Sequence, residues 1–440
     1  MKGKSMGIKF VVLLLASLSV TVHSETWTLR AAQERLLQGN PDLRIQKNEQ
    51  GKAEALFSES KSTFWPSLDV SGSYQAFSEL NQINLTLPVP PPTGTNISKT
   101  LGDHDREEYG IDLSYPLFMG GGQRQQVLAR RSSVEAQKER AHALENQQSL
   151  RLAGLFYAWN LAESARHTQE TIIGYHQQYL TRVTSLVKGG AALPSKESSA
   201  KAKLLVAQAE LQTSIDLRDS IGRAGALLLG LSANQSFAFD SSDGEKIDSG
   251  KVSSEMRPEL AFLVKTSVSL EHQENAILSQ KFPTLVALAG YRVANPGLNL
   301  GSNAYMNYGL VGLQLRWNLF DGFRNQSQRS QIRAQHEELQ IEQERQAAFF
   351  SEAQISVEKW MARLKQSQEA AQAAWDAAHL SLAEIQSQHD HGTASELELL
   401  DARVQETKAG LQVHQLILQQ RLAVWNWRYA RGENLKFQGD

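Results

Sequence analysis

The feature that most constrains this chain is an internal duplication. The stretch YPLFMGGG at residues 115–122 recurs as WNLFDGF at 317–323, and each copy has an aromatic residue, then Leu-Phe, one further residue and Gly. Alternating apolar residues precede both copies, and a long polar run without Pro follows both. Each half therefore predicts a strand, a glycine turn and a very long helix, which no small globular core requires.

The duplication extends over the whole chain. Asn40-Pro41 matches Arg257-Pro258 and Trp65-Pro66 matches Phe282-Pro283 at an offset of 217 residues, whereas Phe118 matches Phe320 and Gly190 matches Gly392 at an offset of 202. Because the offset falls between the two sets, the first half must carry a longer loop. That loop is the Pro-rich stretch at about 80–105, whose PVPPP run should stay extended and exposed.

Hydrophobic periodicity predicts the same elements in each half. A helix of about 25 residues leads through a Pro into two strands, a helix of nearly 70 residues and a returning helix. At 1.5 Å per residue the longest helices should measure about 100 Å. The predicted strands lie at about 66–79, 106–118, 284–293 and 306–320, the helical hairpins at about 122–230 and 323–430, and an equatorial segment at about 231–257.

The first residues have the pattern of a secretory signal peptide. Three Lys residues precede the apolar run FVVLLLASLSV, and Val22 and Ser24 offer small side chains for cleavage before Glu25. We therefore expect residues 1–24 to be removed and residues 25–440 to form the mature protein. No later run reaches the roughly 18 apolar residues of a membrane helix, so any membrane span would have to use strands.

The predicted strands alternate between an apolar and a polar face. One face carries Leu68, Val70, Tyr74 and Ala76 in the first strand, Tyr109, Ile111, Leu113, Tyr115 and Leu117 in the second, Leu285, Ala287, Ala289 and Tyr291 in the third, and Val311, Leu313, Leu315, Trp317 and Leu319 in the fourth. This pattern is typical of a membrane barrel with lipid outside and water inside, although an ordinary half-buried sheet alternates in the same way. Four strands cannot close a wide barrel, so the membrane interpretation requires several chains.

The long helices carry a coiled-coil stripe. The stripe consists of Ile173, His176, Leu180, Val183 and Val187 in the first half, and of Leu397, Leu400, Val404, Thr407, Leu411, His414 and Leu418 in the second. Helices with this spacing pack lengthwise on each other or on neighbouring chains.

The composition excludes several classes of function. The chain has no Cys, which removes disulfides, thiol catalysis and cysteine metal sites. A net charge of −2 gives no attraction to nucleic acid. No G-x-S-x-G, Walker A or H-E-x-x-H motif occurs, so we expect neither an enzyme nor a cofactor. His389 and His391 stand two apart at a hairpin end, where they point different ways, and we expect a polar turn there rather than a metal site.

In the order, spacing and duplication of these motifs, the chain resembles the TolC family of outer membrane efflux proteins. The resemblance covers essentially the whole mature chain and rests on WTLRAA from Trp27 followed by Asn40-Pro41, on the paired YPLFMGG and WNLFDGF, and on HGTASELELLDAR from His391. It implies an α+β membrane protein of the bacterial outer membrane that extends into the periplasm. Four strands per chain would form, in a homotrimer, a lipid-embedded 12-stranded β-barrel continued by a long α-helical coiled-coil barrel.

The resemblance also implies an entrance at the periplasmic tips of the hairpins. Glu398 and Asp401 match by position two acids that line this entrance in the family, and their spacing of three places them on one helix face. In a trimer they would form two rings of carboxylates, a constriction that favours cations. The alternative is a pair of ordinary exposed acids.

The family's entrance latch is altered in this chain. His389 and Ala394 stand where some members have Tyr and Arg, and Lys196 stands where the first hairpin often has Asp. A contact of Lys196 with Glu396 or Glu398 would replace the usual gating bonds. Small residues at the two tips would let a periplasmic adaptor approach, although they also suit a plain turn; these are Gly189, Gly190, Ala191, Ala192, Gly392 and Thr393.

Together these features predict a passive exit duct, and the resemblance implies that the duct belongs to a tripartite export system. Its partners would be a periplasmic adaptor protein and an inner-membrane transporter, and its cargo either small molecules in efflux or proteins in type I secretion. Pore chemistry is similar for both cargo classes, so the sequence does not choose between them. The alternative is a non-conducting periplasmic coiled-coil scaffold, against which the polar strand faces argue, because a scaffold has no need of them.

Overall fold

The structure, a computed structural model, describes residues 25–87, 95–232, 237–240, 256–299 and 302–437. The predicted signal peptide, the PVPPP run and most of the predicted equatorial segment lie outside the described residues. The helices are α1 Leu29–Gly39, α2 Pro41–Ser62, α3 Gly122–Lys188, α4 Pro194–Leu228, α5 Pro258–Ser279, α6 Arg324–Asp390 and α7 Glu396–Ala430. The strands are β1 Glu25–Trp27, β2 Ser67–Ala76, β3 Asn81–Leu87, β4 Thr95–Leu101, β5 Asp105–Met119, β6 Phe237–Phe239, β7 Thr284–Asn295 and β8 Met306–Arg316.

The two halves repeat one another helix by helix. The α2 and α5 helices each have 22 residues, α3 and α6 each have 67, and α4 and α7 each have 35. The longest helices, α3 and α6, are each about 100 Å long. Among the described residues, no helix combines the length and the apolar character that crossing a membrane requires.

Both long hairpins turn through a glycine in the left-handed conformation. Gly190 has φ 77° and Gly392 has φ 75°. In the first turn the N–H of Ala191 donates to the carbonyl of Leu186 at 2.8 Å, and the second turn contains the equivalent bond at the same distance. These bonds satisfy carbonyls that the helix end would otherwise leave open, and glycine adopts the required φ without steric cost.

Four strands form one antiparallel sheet in the order β2-β5-β7-β8. The register places apolar residues opposite apolar residues and polar residues opposite polar ones. Val70 pairs with Ile111, which pairs with Tyr291, whereas Asp69 pairs with Asp112. Directly opposed residues point to the same side of a sheet, so the apolar residues predicted for each strand share one continuous face. Apolar side chains on this face are exposed in the single chain, Val70 and Val311 by 80% and 89%.

The long loop of the first half contains a hairpin that the sequence pattern did not predict. The β3 and β4 strands pair antiparallel from Asn81↔Leu101 to Leu87↔Thr95. The pairing within this loop joins two stretches that the Pro-rich run separates.

The largest core lies at the level where the short strands β1 and β6 pair in parallel, Glu25 with Phe237. Phe156 meets Phe239 edge to face with ring centroids 5.2 Å apart, and Trp425 is fully buried in the same cluster. The C-terminal segment closes this core, because the Gln33 amide donates to the Leu435 carbonyl at 2.8 Å. This core ties the N-terminus, both hairpins and the C-terminus together.

A polar side chain at the start of each half caps the returning helix of that half. The Asn40 amide donates to the carbonyl of Leu228 at 2.7 Å, while its oxygen accepts from the N–H of Leu43 at 3.0 Å. At the matching position, the Arg257 guanidinium donates to the carbonyl of Tyr429 at 2.7 Å. Both side chains are buried. The duplication therefore repeats the cap and not only the helices.

Candidate functional site

The two hairpin tips lie at the same end of the chain, because α3 packs on α7. Tyr179 and Val183 of α3 form a small buried cluster with Ala200 of α4 and Leu400 of α7. Val183 and Leu400 are positions of the predicted coiled-coil stripe, so the stripe holds the hairpins together here. The turns that follow Lys188 and Asp390 extend beyond this cluster.

Glu398 lies in the first turn of α7, where it forms a capping box with Ser395. The N–H of Ser395 donates to the Glu398 carboxylate at 2.6 Å, and the N–H of Glu398 donates to the Ser395 hydroxyl at 3.2 Å. The first of these bonds is the main cause that lowers the pKa of Glu398 below its usual value. The side chain is exposed and stays ionised at neutral pH.

Asp401 follows one turn later and is also exposed. Its carboxylate Oδ1 lies 3.3 Å from the Nζ of Lys203 on α4. The structure thus places Glu398 and Asp401 on neighbouring exposed positions of α7, as their spacing predicts, and adds a positive charge beside the second acid. Sequence reasoning missed Lys203, because its partner lies about two hundred residues away along the chain.

Glu396 joins three helices at the base of the second tip. Its carboxylate accepts from the Nε2 of His389 at 2.8 Å and lies 3.4 Å from the Nε of Arg182 on α3. Within this chain, no ion pair of Lys196 occurs among the described residues. The contact predicted between Lys196 and Glu396 or Glu398 stays a prediction.

A buried histidine lies near the Lys203–Asp401 pair. His176 occupies a stripe position of α3 and is almost fully buried. Burial is the main cause that lowers the pKa of His176, the Lys203 ammonium lowers it further, and the Asp401 carboxylate acts in the opposite direction. A histidine at a coiled-coil core position was the signal in the sequence that could have identified this group.

His389 and His391, the possible metal motif, bond to different partners. His389 bonds to Glu396, whereas the Nδ1 of His391 lies 2.7 Å from the carbonyl of Ser387. Among the described residues, no three His, Cys, Asp or Glu side chains are placed to hold a metal ion.

The polar face of the sheet is a network of charges and hydroxyls. Arg292 of β7 bonds to Glu108 and, at 3.0 Å, to Asp112, both on β5. Arg106 reaches the same Glu108 at 2.8 Å. Paired in this way, these charges largely neutralise one another along the polar face of the sheet.

Comparison with known proteins decides the family. The model of the family described as "Outer membrane efflux protein" matches residues 32–222 and 269–430, which is most of the chain. The chain belongs to the outer membrane efflux protein family. The predicted family, the predicted outer membrane localisation and the predicted role as an efflux duct are thereby confirmed. The two matched blocks also follow the two halves of the duplication.

Solved outer membrane channels share the fold of this efflux protein. The Campylobacter jejuni CmeC outer membrane channel superposes with a TM-score of 0.76 at 14% identity, over 99% of this chain and 95% of that one. A membrane protein from Pseudomonas aeruginosa gives 0.75 at 16%, over 93% and 91%. The open state of the Neisseria gonorrhoeae MtrE channel gives 0.70 at 15%, over 93% and 89%. Among curated protein sequences, the comparison found no match.

Proposed function

We propose that three copies of this chain form a passive exit duct of a tripartite export system. The observation that carries the proposal is the topology of the sheet. With four strands in alternating directions, the edge strands β2 and β8 run antiparallel to each other. The β8 edge of one copy can therefore pair with the β2 edge of the next, and three copies close a barrel of about twelve strands.

The chemistry of the two sheet faces supports a water-filled barrel in lipid. One face carries exposed apolar residues from all four strands, and the other carries the Arg292, Glu108 and Asp112 network. A membrane barrel needs this arrangement, because lipid contacts its outside and water its inside. A non-conducting coiled-coil scaffold, the second candidate, would bury neither face in lipid.

The long hairpins continue the duct away from the membrane. Their ~100 Å helices reach far into the periplasm, and the small residues at Gly189–Ala192 and Gly392–Thr393 leave backbone accessible to a partner. We assign these tips to docking of a periplasmic adaptor, which would connect the duct to an energised inner-membrane transporter.

The entrance of the duct would lie at the first turns of α7. Three copies of Glu398 and three of Asp401 would line it as stacked rings, each Asp401 beside a Lys203. The exposed Lys196 would meet Glu396 of a neighbouring copy and hold the tips together in the closed state. Charge and exposure in the single chain support these roles.

Conductance in a planar lipid bilayer tests the proposal. The mature protein should run as a trimer in mild detergent, fractionate with the outer membrane and open single channels of uniform conductance. A soluble monomer without conductance would overturn the duct and favour the scaffold. In cells, loss of the protein should then be scored separately for accumulation of a fluorescent small molecule and for secretion of a protein, because these two readouts separate the two cargo classes.

A further inference from the structure

The two edge strands of the four-stranded sheet carry opposite charges. Along β2, the one charged residue is Asp69. Along β8, the one charged residue is Arg316. Both side chains are exposed, and both residues lie near the end of the sheet that adjoins the helices. A single acid and a single base therefore stand on the two edges at which neighbouring copies would pair.

Neither Asp69 nor Arg316 has an ion-pair partner within the described part of its own chain. The Asp69 carboxylate accepts from the hydroxyl of Ser67 at 3.5 Å. It also lies directly opposite Asp112, and like charges in that position are destabilising. Arg292 neutralises Asp112 at 3.0 Å, whereas Asp69 has no cation beside it. The single chain thus leaves one acid and one base uncompensated on its two edges.

The ladder of the sheet places Asp69 and Arg316 on the same face. Asp69 pairs with Asp112, Asp112 pairs with Gly290, and Gly290 pairs with Leu310. Directly opposed residues point to the same side of a sheet. Arg316 follows Leu310 by an even number of residues, so it shares that side, which is the polar face. Three strand spacings of about 4.8 Å separate the two edges, so the two residues of one chain lie too far apart to bond.

Closure of a barrel shifts the register between neighbouring copies. Barrel strands tilt by about 35–45° against the barrel axis. With strands about 4.8 Å apart and residues about 3.3 Å apart along a strand, this tilt displaces each strand by about 1.0–1.5 residues. The four strands of one chain are together displaced by about four to six residues. The Asp69 of the next copy therefore does not meet Leu310, where the ladder of the chain ends, but a residue about four to six positions away from it.

The handedness of the sheet gives the direction of this shift. The N–H of Phe77 donates to the carbonyl of His104 at 2.7 Å, which continues the pairing of β2 with β5. Alternate residues of a strand bond to the same neighbour, so Asp69 also directs its N–H and C=O to β5. Because its side chain is on the polar face, the L-configuration places β5 to the left of β2 when the sheet is seen from the apolar face with the helices below. Barrel strands tilt to the right in that view, so the displacement runs from Leu310 toward Arg316.

We propose that Asp69 forms an ion pair with Arg316 of the neighbouring copy, and that three such pairs fix the register in which the copies close the barrel. The inference rests on the proposed trimeric duct and adds the residues that join its copies. An exposed ion pair contributes little affinity, so its main effect is on the choice of register. A register slipped toward the other end of β8 would place Asp69 opposite Gly312 or Leu310, where no cation of that strand neutralises it.

Disulfide cross-linking between copies tests the register, since the chain has no Cys of its own. The backbone of Asp69 bonds to β5, so Asp69 meets the neighbouring copy in a non-hydrogen-bonded pair with Cα atoms about 4.5 Å apart, a distance that suits a disulfide. After oxidation, trimers of the full mature protein with Asp69→Cys and Arg316→Cys should run as covalent dimers and trimers on a denaturing, non-reducing gel. Asp69→Cys with Leu310→Cys, on the same two edges and the same face, is the matched control and should run as monomers.

Charge reversal tests the ion pair separately from the register. Asp69→Arg and Arg316→Asp should each, alone, bring like charges together between copies and lower the temperature at which trimers dissociate in mild detergent. The two substitutions together restore opposite charges and should return that temperature most of the way to the wild-type value. Gln75→Arg, on the same strand and face as Asp69, is the control, because Arg316→Asp should not correct any change that it causes. Added salt should reduce the difference between single and double variants, since exposed charges are screened.

The outcomes distinguish the ion pair from the duct. Cross-linking at Arg316 together with rescue by the double reversal would support the pair. Wild-type trimers that conduct, without cross-linking at Arg316 or without that rescue, would overturn the pair and leave the duct intact. A wild-type protein that neither forms trimers nor conducts would overturn the duct itself.

Discussion

At the scale of single residues, the two acids of the predicted entrance, Glu398 and Asp401, make different contacts within the chain. Glu398 caps α7 through Ser395, whereas Asp401 pairs with Lys203 on another helix. Replacing both acids by Ala would therefore mix a helix-capping defect with the loss of charge. Gln can accept the same capping bond as Glu, so Glu398→Gln separates the two effects.

We expect Glu398→Gln with Asp401→Asn to move the cation-over-anion permeability ratio toward one and to relieve block by a trivalent cation, because the proposed rings lose their fixed charge. Lys203→Met should have the opposite effect, since it unmasks Asp401. Reversal potentials under a salt gradient measure both. Asp376→Asn, an exposed acid on α6, is the control, and identical potentials for all variants would remove these residues from the entrance.

We expect His176 to make the hairpin end sensitive to acid. Its pKa is lowered, first by burial, so the folded state favours the neutral ring. Below the ordinary value of 6.5, the unfolded chain binds a proton that the folded chain does not. The stability that His176 contributes is therefore complete above that value and is lost as the pH falls below it. The charged groups around it are Lys203, Asp401, Lys408 and Glu210.

His176→Gln should accordingly flatten the fall in stability between neutral and mildly acidic pH. Denaturant midpoints measured at both pH values, for wild type and variant, give the comparison. His167→Gln on the same helix is a suitable control, because His167 is largely exposed. An equally steep fall in the His176 variant would assign the acid sensitivity to other groups, such as His414, whose pKa burial also lowers.

At the scale of elements, the hairpin turns depend on left-handed glycines. Gly392→Ala should destabilise the second hairpin by about 1–2 kcal/mol, because a Cβ disfavours the left-handed conformation. Gly154→Ala is the opposite case: Gly154 lies inside α3 with open space around it, and Ala should stabilise that helix by up to about 1 kcal/mol.

Denaturant unfolding in detergent shows whether each substitution raises or lowers the free energy of unfolding. Because both substitutions add one methyl group, the comparison separates backbone conformation from side-chain size. A stabilised Gly392→Ala variant would contradict the importance of the turn.

At the scale of the whole molecule, we expect the β3–β4 hairpin to lie on the cell exterior, because the strand ends opposite the periplasmic helices would face outward. The chain has no Cys, so a maleimide can react only with a cysteine that is introduced by substitution. Ser98→Cys in β4 should react with a membrane-impermeant maleimide on intact cells, whereas Ser356→Cys on α6 should react only after lysis; both positions are exposed in the chain. The reverse pattern would mean an inverted topology.

The sequence by itself determined the order of the elements and their duplication. Periodicities of two and of about 3.6 residues are local properties, and the Gly and Pro positions mark where they change, so the long helices and the alternating strand faces could be read directly. The spacing of Glu398 and Asp401 likewise places them on one helix face, because residues three apart lie on the same side of any α-helix.

Only the tertiary structure decided which distant residues meet. Several contacts depend on packing between segments far apart in the chain, namely Lys203 with Asp401, Arg182 with Glu396, and Arg257 with the end of α7. The hairpin of β3 and β4 was missed for the same reason, because strand pairing is a nonlocal choice that sequence alternation permits but does not select.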